Sequence, residues 1–340
     1  MPANILITGG TGLIGFQILL AALSAGHKVC YTARSEAKAK VVSSNPAVQK
    51  LFVEDRLSTI IIEDFSVDGA FDRALEGITH VIHVGSPVPV PTYDPVTEVF
   101  QPTLRITENL LSSALKVPTV KRVVITSSIV GNMTPLPDAS IKVTASSRVQ
   151  LPNPSPKSFE NVFDAYFQAK ILELNATDKF VKTNDPSFSV CHAIPGYVFG
   201  RNELALDIET FRQGNSSNNF MVLALTGGAI PFPIHGGYAH IEDVANVHLH
   251  LAFKELQPGE PTDFGISSKV DYESIFGYVE KAFPKAVAEG IFSRGQLPTL
   301  PVWYDSSETE KVFGTKFKSF EKAVLDVASQ YLELLGKEKA

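Results

Sequence analysis

A tyrosine and a lysine are spaced so that they can act together on a carbonyl group. Tyr166 and Lys170 lie in the amphipathic stretch 161–182, which predicts a helix. Residues four apart share a helix face, with Cβ atoms about 5–6 Å apart. A nearby ammonium group lowers a tyrosine pKa from its ordinary value of about 10. Tyr166 is therefore a candidate general acid for a carbonyl oxygen, although ordinary amphipathic helices also carry such pairs.

A run of hydroxyl residues follows a very apolar segment. Thr126, Ser127 and Ser128 end the predicted strand 122–126. Side chains at the carboxyl end of such a strand face the ligand crevice of an α/β sheet. The Ser128 hydroxyl can then hydrogen-bond a substrate carbonyl and help to polarise it. The ordinary alternative is that these residues only terminate a strand.

A glycine-rich turn follows the apolar segment 5–8. A strand, this turn and a helix together form a site for a dinucleotide pyrophosphate, which faces the positive helix end. The spacing differs from G-x-G-x-x-G, and a strand-to-helix turn without a ligand is the alternative. The turn residues that we expect to contact the cofactor are Gly9, Thr11, Gly12, Leu13, Ile14 and Gly15.

The residue after the predicted strand 28–33 indicates which cofactor would bind. An NAD site usually has an acidic residue here for the ribose diol. This chain has Arg34, and no Asp or Glu lies between Gly15 and Ser35. An arginine suits the 2′-phosphate of NADP, whereas the alternative is a solvated surface arginine. We therefore expect NADP(H).

The elements that would position these residues alternate between strands and helices. Short, continuous apolar runs are typical of a parallel sheet covered on both faces. The alternation predicts an α/β fold, a Rossmann-type doubly wound parallel sheet with a smaller mixed C-terminal substrate-binding region. The predicted strands are 5–8, 28–33, 59–63, 80–84, 122–126 and 188–192. The predicted helices of this half are 13–25, 37–52, 69–75, 95–116 and 161–182.

We place an NADP-binding domain at 1–195 and the substrate-binding region at 196–340. The chain is expected to cross between them, for example around 237–255. Helices are predicted at 240–253, 272–283 and 320–335. Ser307 and Glu310 have the spacing of a capping box, and Gly314 would end that short helix.

Composition favours a globular protein with a sizeable core. The chain has 340 residues, of which 44% are apolar, and a net charge of −6, which gives no global attraction to nucleic acid or anionic membranes. Cys30 and Cys191 lie in apolar runs and are expected to be free thiols in a reducing compartment. No signal peptide, membrane span or preceding segment is expected, because the first strand starts almost at the N-terminus and prolines and glycines interrupt the longest apolar run, 220–234. We expect a cytoplasmic monomer or homodimer.

Taken together, these motifs resemble the extended short-chain dehydrogenase/reductase family over nearly the whole chain. The narrower resemblance is to the branch with dihydroflavonol reductase, cinnamoyl-CoA reductase and yeast-type methylglyoxal and ketone reductases. It rests on the segments 8–15, 64–65, 81–87, 123–128, 194–200 and 240–245 and on the Tyr166–Lys170 pair. The further cofactor contacts that the resemblance implies are Asp64, Phe65, Val84, Gly85, Ser86, Thr126, Tyr166, Lys170, Pro195, Gly196 and Val198.

The resemblance implies hydride transfer from NADPH to a carbonyl carbon. Tyr166 would donate the proton, Lys170 would bind the nicotinamide ribose, and Ser128 would hold the carbonyl oxygen. Asn109 would anchor a relay water in this family, but an asparagine within a helix can also be structural, and Pro102 can kink that helix. These implications make the chain a carbonyl reductase of a small ketone or aldehyde.

Two proline-rich stretches, 87–91 and 151–156, depart from the family pattern. Rigid apolar loops over a pocket favour a bulky apolar or aromatic substrate. The residues expected by position to line this pocket are Pro87, Met133, Tyr197 and Phe220, with Tyr93 and Tyr238 as further candidates; for each, plain packing is the alternative.

Two other functions stay open on the sequence. A sugar-nucleotide epimerase or dehydratase would need basic residues for a diphosphate, for which Arg201 and Arg212 are available. A cofactor-sensing regulator would have the same fold without the Tyr/Lys pair. No metal site is expected from His248 and His250, because residues two apart do not share a helix face.

Overall fold

The computed structural model describes residues 2–51, 55–153, 158–214, 216–257 and 259–337. Its central sheet has seven strands. They are β1 (Asn4–Thr8), β2 (Lys28–Ala33), β3 (Leu57–Ile61), β4 (His80–His83), β5 (Arg122–Thr126), β7 (Ser189–Pro195) and β11 (Asp263–Ile266). Their order is β3-β2-β1-β4-β5-β7-β11, and every neighbouring pair is parallel. The predicted α/β fold with a doubly wound parallel sheet is confirmed.

Twelve α-helices lie in the described ranges. They are α1 (Leu13–Ser24), α2 (Glu36–Ser43), α3 (Pro46–Gln49), α4 (Gln101–Leu115), α5 (Val162–Asn184), α6 (Ile208–Gln213), α7 (Asn218–Leu225), α8 (Ile241–Phe253), α9 (Ile275–Ala282), α10 (Pro284–Ala288), α11 (Ser307–Phe313) and α12 (Phe320–Leu334). Short 3₁₀ turns occur at Arg73–Leu75, Ile129–Gly131 and Tyr272–Ser274, and a π-helical turn at Pro95–Phe100.

The sheet is covered on both faces, which explains its continuous apolar strands. Ile5 and Ile7 of β1 belong to the apolar cluster that contains residues of α1 and α8. Leu6, between them, belongs to the cluster on the opposite face with residues of α4. Successive strand side chains point to opposite faces, so a strand buried on both sides must be apolar throughout.

The C-terminal part is built from small sheets and short helices around its own apolar cluster. The remaining strands are β6 (Val143–Thr144), β8 (Tyr197–Phe199), β9 (Ile234–His235), β10 (Gly237–His240), β12 (Ser268–Lys269), β13 (Thr299–Leu300) and β14 (Tyr304–Asp305). They form the sheets β12-β10-β8, β13-β9 and β14-β6. Helix α8 and strand β11 return to the central sheet. The domain boundary at residue 195 stays a prediction.

Three predicted helices differ from the structure for local reasons. The stretch 37–52 breaks because Asn45 caps α3 through its bond from the Ala47 amide (2.9 Å) and Pro46 opens that helix; residue 52 lies outside the described residues. The stretch 69–75 is helical only as the 3₁₀ turn at its end, because Gly69 is left-handed with φ +74°. The stretch 95–116 is split, since a π-helical turn precedes α4 and Pro102 lies in the first turn of α4, which tolerates proline.

The predicted capping box at α11 was wrong. Ser307 is the first helical residue, and its amide donates to Asp305 Oδ1 (2.9 Å). The predicted stop is confirmed, because Gly314 is left-handed with φ +67° at the helix end. In the described part of the chain, no helix combines the length and the apolar character that crossing a membrane requires.

Candidate active site

The carboxyl ends of β1 and β4 meet where the strand order reverses, which is where open α/β sheets bind ligands. Thr8 joins the two strands there. Its hydroxyl oxygen accepts hydrogen bonds from the amides of Val84 and Gly85, both at 3.1 Å, and lies 2.7 Å from His83 Nδ1. Since that oxygen already accepts two bonds, we assign its proton to the bond to His83. The rim of the crevice is therefore held in one geometry.

The glycine turn closes tightly against this rim. Gly9 is left-handed with φ +71°, and the Gly12 amide donates to the Gly9 carbonyl at 3.0 Å. A Cβ atom at Gly15 would lie 2.2 Å from the same carbonyl oxygen. These two positions therefore require glycine for conformation and for close approach. The turn leads into α1, which begins at Leu13 directly after Gly12; contacts of Thr11, Leu13 and Ile14 with a cofactor stay a prediction.

A crevice of about 460 Å³ lies beyond the ends of β2, β3 and β4. The residues that line it include Arg34, Asp64, Phe65, Ser86, Pro87 and Tyr93. The Ser86 hydroxyl is buried and has no hydrogen-bond partner among the described residues. Arg34 is exposed at the end of β2, and the carboxylates of Glu63 and Glu98 line the same crevice. An orphaned hydroxyl, amides at a helix start and an arginine suit the phosphates and ribose of a dinucleotide.

The same crevice contains part of the first proline-rich loop. Pro87, Val88 and Tyr93 line the crevice with Arg34 and Asp64. The loop therefore lies beside the predicted cofactor contacts Arg34 and Asp64, and the contact of Pro87 with a substrate stays a prediction. In the second proline-rich stretch, residues 154–156 lie outside the described residues.

Tyr166, Lys170 and Ser128 come together at the ends of β5 and α5. The Lys170 ammonium lies 6.0 Å from the centroid of the Tyr166 ring. Ser128 precedes the 3₁₀ turn at the end of β5, and its side chain is close enough to Tyr166 to lower the pKa of the phenol. Lys170 is only 2% exposed, and its Nζ atom is 2.7 Å from Glu173 Oε2.

The pKa values at this site differ from the prediction made on the Tyr/Lys spacing alone. Burial raises the pKa of Tyr166, and the negative charge of Glu173 raises it further. The charge of Lys170 and the hydrogen bond of Ser128 lower it, but the net direction is upward. Burial acts to lower the pKa of Lys170, but Glu173 and Tyr166 outweigh it, so this pKa is raised and the lysine is charged.

Thr126, a predicted cofactor contact, makes its side-chain hydrogen bond inside the protein. The Thr126 hydroxyl lies 2.7 Å from His248 Nε2, and His248 Nδ1 lies 2.7 Å from the Val244 carbonyl. A carbonyl only accepts, so Nδ1 carries the ring proton and the threonine donates to Nε2. Burial lowers the pKa of His248 to about 4, so the ring is neutral. The Thr126 side chain thus faces α8 and not the crevice.

The segment after β7 is also tightly packed. Pro195 is buried, and the Gly196 amide donates to the Ile266 carbonyl at 3.0 Å. Val198 pairs with Ala239 in the small sheet, and its side chain joins the core cluster with α8. The Val198 carbonyl also accepts a hydrogen bond from the Ser217 hydroxyl. Contacts of these three residues with a cofactor stay a prediction.

Of the residues expected to line a substrate pocket, Tyr197 and Met133 lie near Tyr166, whereas Tyr238 lies in the C-terminal core. Tyr197 packs edge-on against Phe220, with ring centroids 5.9 Å apart. Burial raises the pKa of Tyr197, and the charge of Tyr166 raises it further. Tyr197 is therefore near the candidate acid. Met133 is 3% exposed in a core cluster against which Tyr166 packs. Tyr238 donates to the Lys318 carbonyl and packs on Phe320, so it belongs to the C-terminal core.

Further aromatic side chains near Tyr166 were missed by sequence reasoning. Phe163 packs on Phe232 with centroids 5.3 Å apart, and Phe167 packs edge-on against His235 at 5.2 Å. Phe163 and Phe167 flank Tyr166 on α5, and Phe232 and His235 come from the segment around β9. The helix periodicity alone assigned Phe163 and Phe167 to an apolar stripe.

Asn109 has a structural task. Its side-chain amide donates to the carbonyls of Phe65 (3.1 Å) and Val67 (3.0 Å), so it fixes the loop that carries Asp64 and Phe65. Two residues earlier on α4, Thr107 donates to Glu173 Oε1 at 2.6 Å. Sequence reasoning did not identify Glu173 or Thr107. The spacing of Glu173, three residues after Lys170, was the available signal.

Comparisons with known proteins agree with this fold. Residues 5–266 match the model of the NAD dependent epimerase/dehydratase family. A ketoreductase of Cercospora nicotianae is 33% identical over 98% of this chain and 96% of its own length. A putative NADPH-dependent methylglyoxal reductase of Candida albicans is 28% identical over 97% of this chain and 98% of its own length.

The fold also matches a solved structure. The yeast methylglyoxal/isovaleraldehyde reductase complexed with NADPH superposes with a TM-score of 0.81, at 23% identity, over 98% of this chain and 100% of that chain. The chain belongs to the NAD dependent epimerase/dehydratase family, the extended short-chain dehydrogenases/reductases. The prediction of an oxidoreductase of this family is confirmed.

Proposed function

We propose that the protein is an NADPH-dependent carbonyl reductase acting on a bulky apolar or aromatic ketone or aldehyde. The observation that carries this proposal is the convergence of Tyr166, Lys170 and Ser128 beside the crevice at the β1/β4 switch point. The names of the relatives, which include a ketoreductase and an NADPH-dependent reductase, support the same reaction class.

The residues of the crevice fit a bound NADP(H). The turn from Gly9 to Gly15 and the first amides of α1 would hold the pyrophosphate, and Arg34 would pair with the 2′-phosphate. Asp64 and Phe65, fixed by Asn109, would contact the adenine. The cofactor, when bound, supplies the hydride.

The protein residues would supply the proton and the polarisation. Tyr166 keeps its proton because its pKa is raised, and so it can donate to the carbonyl oxygen as that oxygen gains charge. Ser128, whose side chain lies near the Tyr166 phenol, would bind the same oxygen. Lys170 would bind the ribose and, by its charge, limit the rise in the Tyr166 pKa.

The substrate class is inferred from the aromatic side chains around Tyr166. Phe163 lies three residues before Tyr166 on α5 and packs on Phe232, with ring centroids 5.3 Å apart. Tyr197, whose pKa is raised in part by the charge of Tyr166, packs on Phe220, with ring centroids 5.9 Å apart. Ring edges and faces of this kind pack well against planar apolar groups. We infer a planar or aromatic substituent next to the reacting carbonyl.

The substitution Tyr166→Phe tests the proposed reaction. It removes only the phenol oxygen, so we expect carbonyl reduction to fall by about 10²–10⁴-fold, the usual contribution of a positioned acid, while NADPH binding stays within a few-fold. Cofactor fluorescence would measure binding, and nicotinamide absorbance would measure turnover against aromatic ketones and aldehydes. The matched control is Tyr278→Phe, in the cluster around Phe320. Unchanged turnover in the Tyr166 variant would refute the mechanism. A wild type that binds NADPH but reduces no carbonyl would favour the alternative of a cofactor sensor.

The sugar-nucleotide alternative is disfavoured by the arginines it would need. Arg201 Nη2 forms an ion pair with Glu333 Oε2 at 2.7 Å, and Arg201 also pairs with Glu203. Arg212 contacts the ring and hydroxyl of Tyr331. Both guanidinium groups are therefore engaged within the C-terminal region, and a diphosphate would have to displace these partners.

A further inference from the structure

A buried ion pair lies directly behind the candidate catalytic tyrosine. Lys170 is 2% exposed and Glu173 is 3% exposed, and their charged atoms are 2.7 Å apart on adjacent turns of α5. The other carboxylate oxygen of Glu173 accepts the Thr107 hydroxyl at 2.6 Å, and Thr107 is also buried on α4. Both oxygens of a buried carboxylate are thus held, one by the lysine and one by a neighbouring helix.

The other groups that face Lys170 cannot replace this carboxylate. Tyr166, on the same helix, keeps its proton because its pKa is raised. His83, on β4, has a pKa of about 3 because of burial and the charge of Lys170, so its ring is neutral. Ser127, on the adjoining loop, is buried without a hydrogen-bond partner among the described residues. Glu173 is therefore the anionic group that the described residues place against the ammonium.

We propose that Glu173, held by Thr107, is a positioning residue that keeps Lys170 protonated and aimed at the cofactor site. The proposal rests on the proposed role of Lys170 in binding the nicotinamide ribose. An ammonium this deeply buried loses most of its hydration, and without a partner it would release its proton instead of remaining charged. The carboxylate compensates for the lost hydration, and the bond from Thr107 fixes the carboxylate rotamer, so the direction of Nζ is set by two helices.

The arrangement also has a consequence for Tyr166. Lys170 favours the phenolate and Glu173 opposes it. The pair therefore supplies a correctly placed ammonium group while limiting its pull on the phenol proton. A general acid that must keep its proton until a carbonyl oxygen arrives benefits from this balance.

The substitution Glu173→Gln tests the proposal, since it keeps the shape of the side chain and its bond to Thr107 but removes the charge. Without the carboxylate the pKa of Lys170 falls into the assay range, and the lysine is neutral at high pH. At pH 6 we expect the NADPH affinity and kcat of Glu173→Gln to be near those of the wild type. As the pH rises, both should fall relative to the wild type, with a slope that approaches tenfold per pH unit, as for the titration of a single group. Thr107→Val should show the same trend more weakly, and Glu173→Asp, which keeps the charge, should restore the pH profile.

The control is Asp164→Asn, which neutralises a carboxylate on the same helix that bonds Gln168 instead of Lys170; its pH profile should match the wild type. A deficit in Glu173→Gln that is equal at every pH, or no deficit, would overturn the proposal. If Glu173→Gln does not fold, Thr107→Val decides by the same criterion. NADPH titration from pH 6 to 9 needs no substrate, so it decides on Glu173 even if the wild type reduces no carbonyl, an outcome that would refute only the proposed function.

Discussion

Replacing Arg34 with alanine should change which nicotinamide cofactor the protein prefers. Arg34 lies at the end of β2 on the crevice that also contains Asp64 and Phe65. A hydrogen bond to a charged group contributes about 1.5–3 kcal/mol, and exposed ion pairs contribute less. Because Arg34 is exposed, we take a value just below that range, about 1.4 kcal/mol, which is about tenfold in affinity.

The carboxylates of Glu63 and Glu98 line the same crevice and would repel the extra phosphate once the arginine is gone. Their repulsion weakens NADPH binding further but does not affect NADH binding, because NADH lacks that phosphate. We therefore expect Arg34→Ala to weaken NADPH binding about tenfold or more, while NADH binding changes by less than about twofold.

The assay is a titration with both cofactors, following nicotinamide fluorescence at low and moderate salt. The matched control is Arg294→Ala, which removes an exposed arginine that lies 4.7 Å from the Phe276 ring in the C-terminal region. Equal losses for NADPH and NADH would refute the assignment of Arg34 to the 2′-phosphate. A wild type that prefers NADH would refute it outright.

Two further predictions concern the turn and the stability of the fold. Gly15→Ala should abolish measurable cofactor binding, because the new methyl group would lie 2.2 Å from the Gly9 carbonyl; Gly277→Ala, with open space at its Cβ position, should bind as the wild type does, and equal binding by both would contradict the tight-turn argument. Arg148→Ala should lower the free energy of unfolding at pH 7 by about 3 kcal/mol, since it leaves the largely buried Asp263 with His192 as its remaining partner. Burial acts to raise the pKa of Asp263, but His192 and Arg148 lower it on balance, so this stabilisation exists above the unfolded pKa of about 3.9 and is lost as pH falls through the folded value. Urea unfolding should therefore show a wild-type advantage that shrinks toward pH 3, and an advantage independent of pH would count against the ion pair.

The central sheet was predictable because its strands are buried on both faces. Ile5, Leu6 and Ile7 must be apolar to serve two clusters, and such runs are visible in a single sequence. The catalytic helix was predictable from its apolar stripe, and the structure extends it only to Asn184. Breaks inside helices were missed where one residue decides, as at Pro46 or at the left-handed Gly69.

The partners of the candidate catalytic residues were less accessible to sequence reasoning. Glu173 and Lys170 are three apart on a helix, a spacing typical of exposed ion pairs. Their burial follows from the packing of α4 against α5, which brings Thr107 to the carboxylate. In the same way Thr126 was assigned to the crevice by its strand position, whereas the tertiary fold supplies His248 as its partner.

The central claim is hydride transfer to a carbonyl carbon, and isotope transfer tests it most directly. The purified protein would be incubated with an aromatic ketone and NADPH carrying deuterium at the transferred position, and the product would be analysed by mass spectrometry and NMR. The proposed function predicts an alcohol with one deuterium on the carbinol carbon, formed about 10²–10⁴-fold more slowly by Tyr166→Phe. Product without deuterium at that carbon, or cofactor that stays oxidised and bound while a sugar nucleotide is converted, would contradict it.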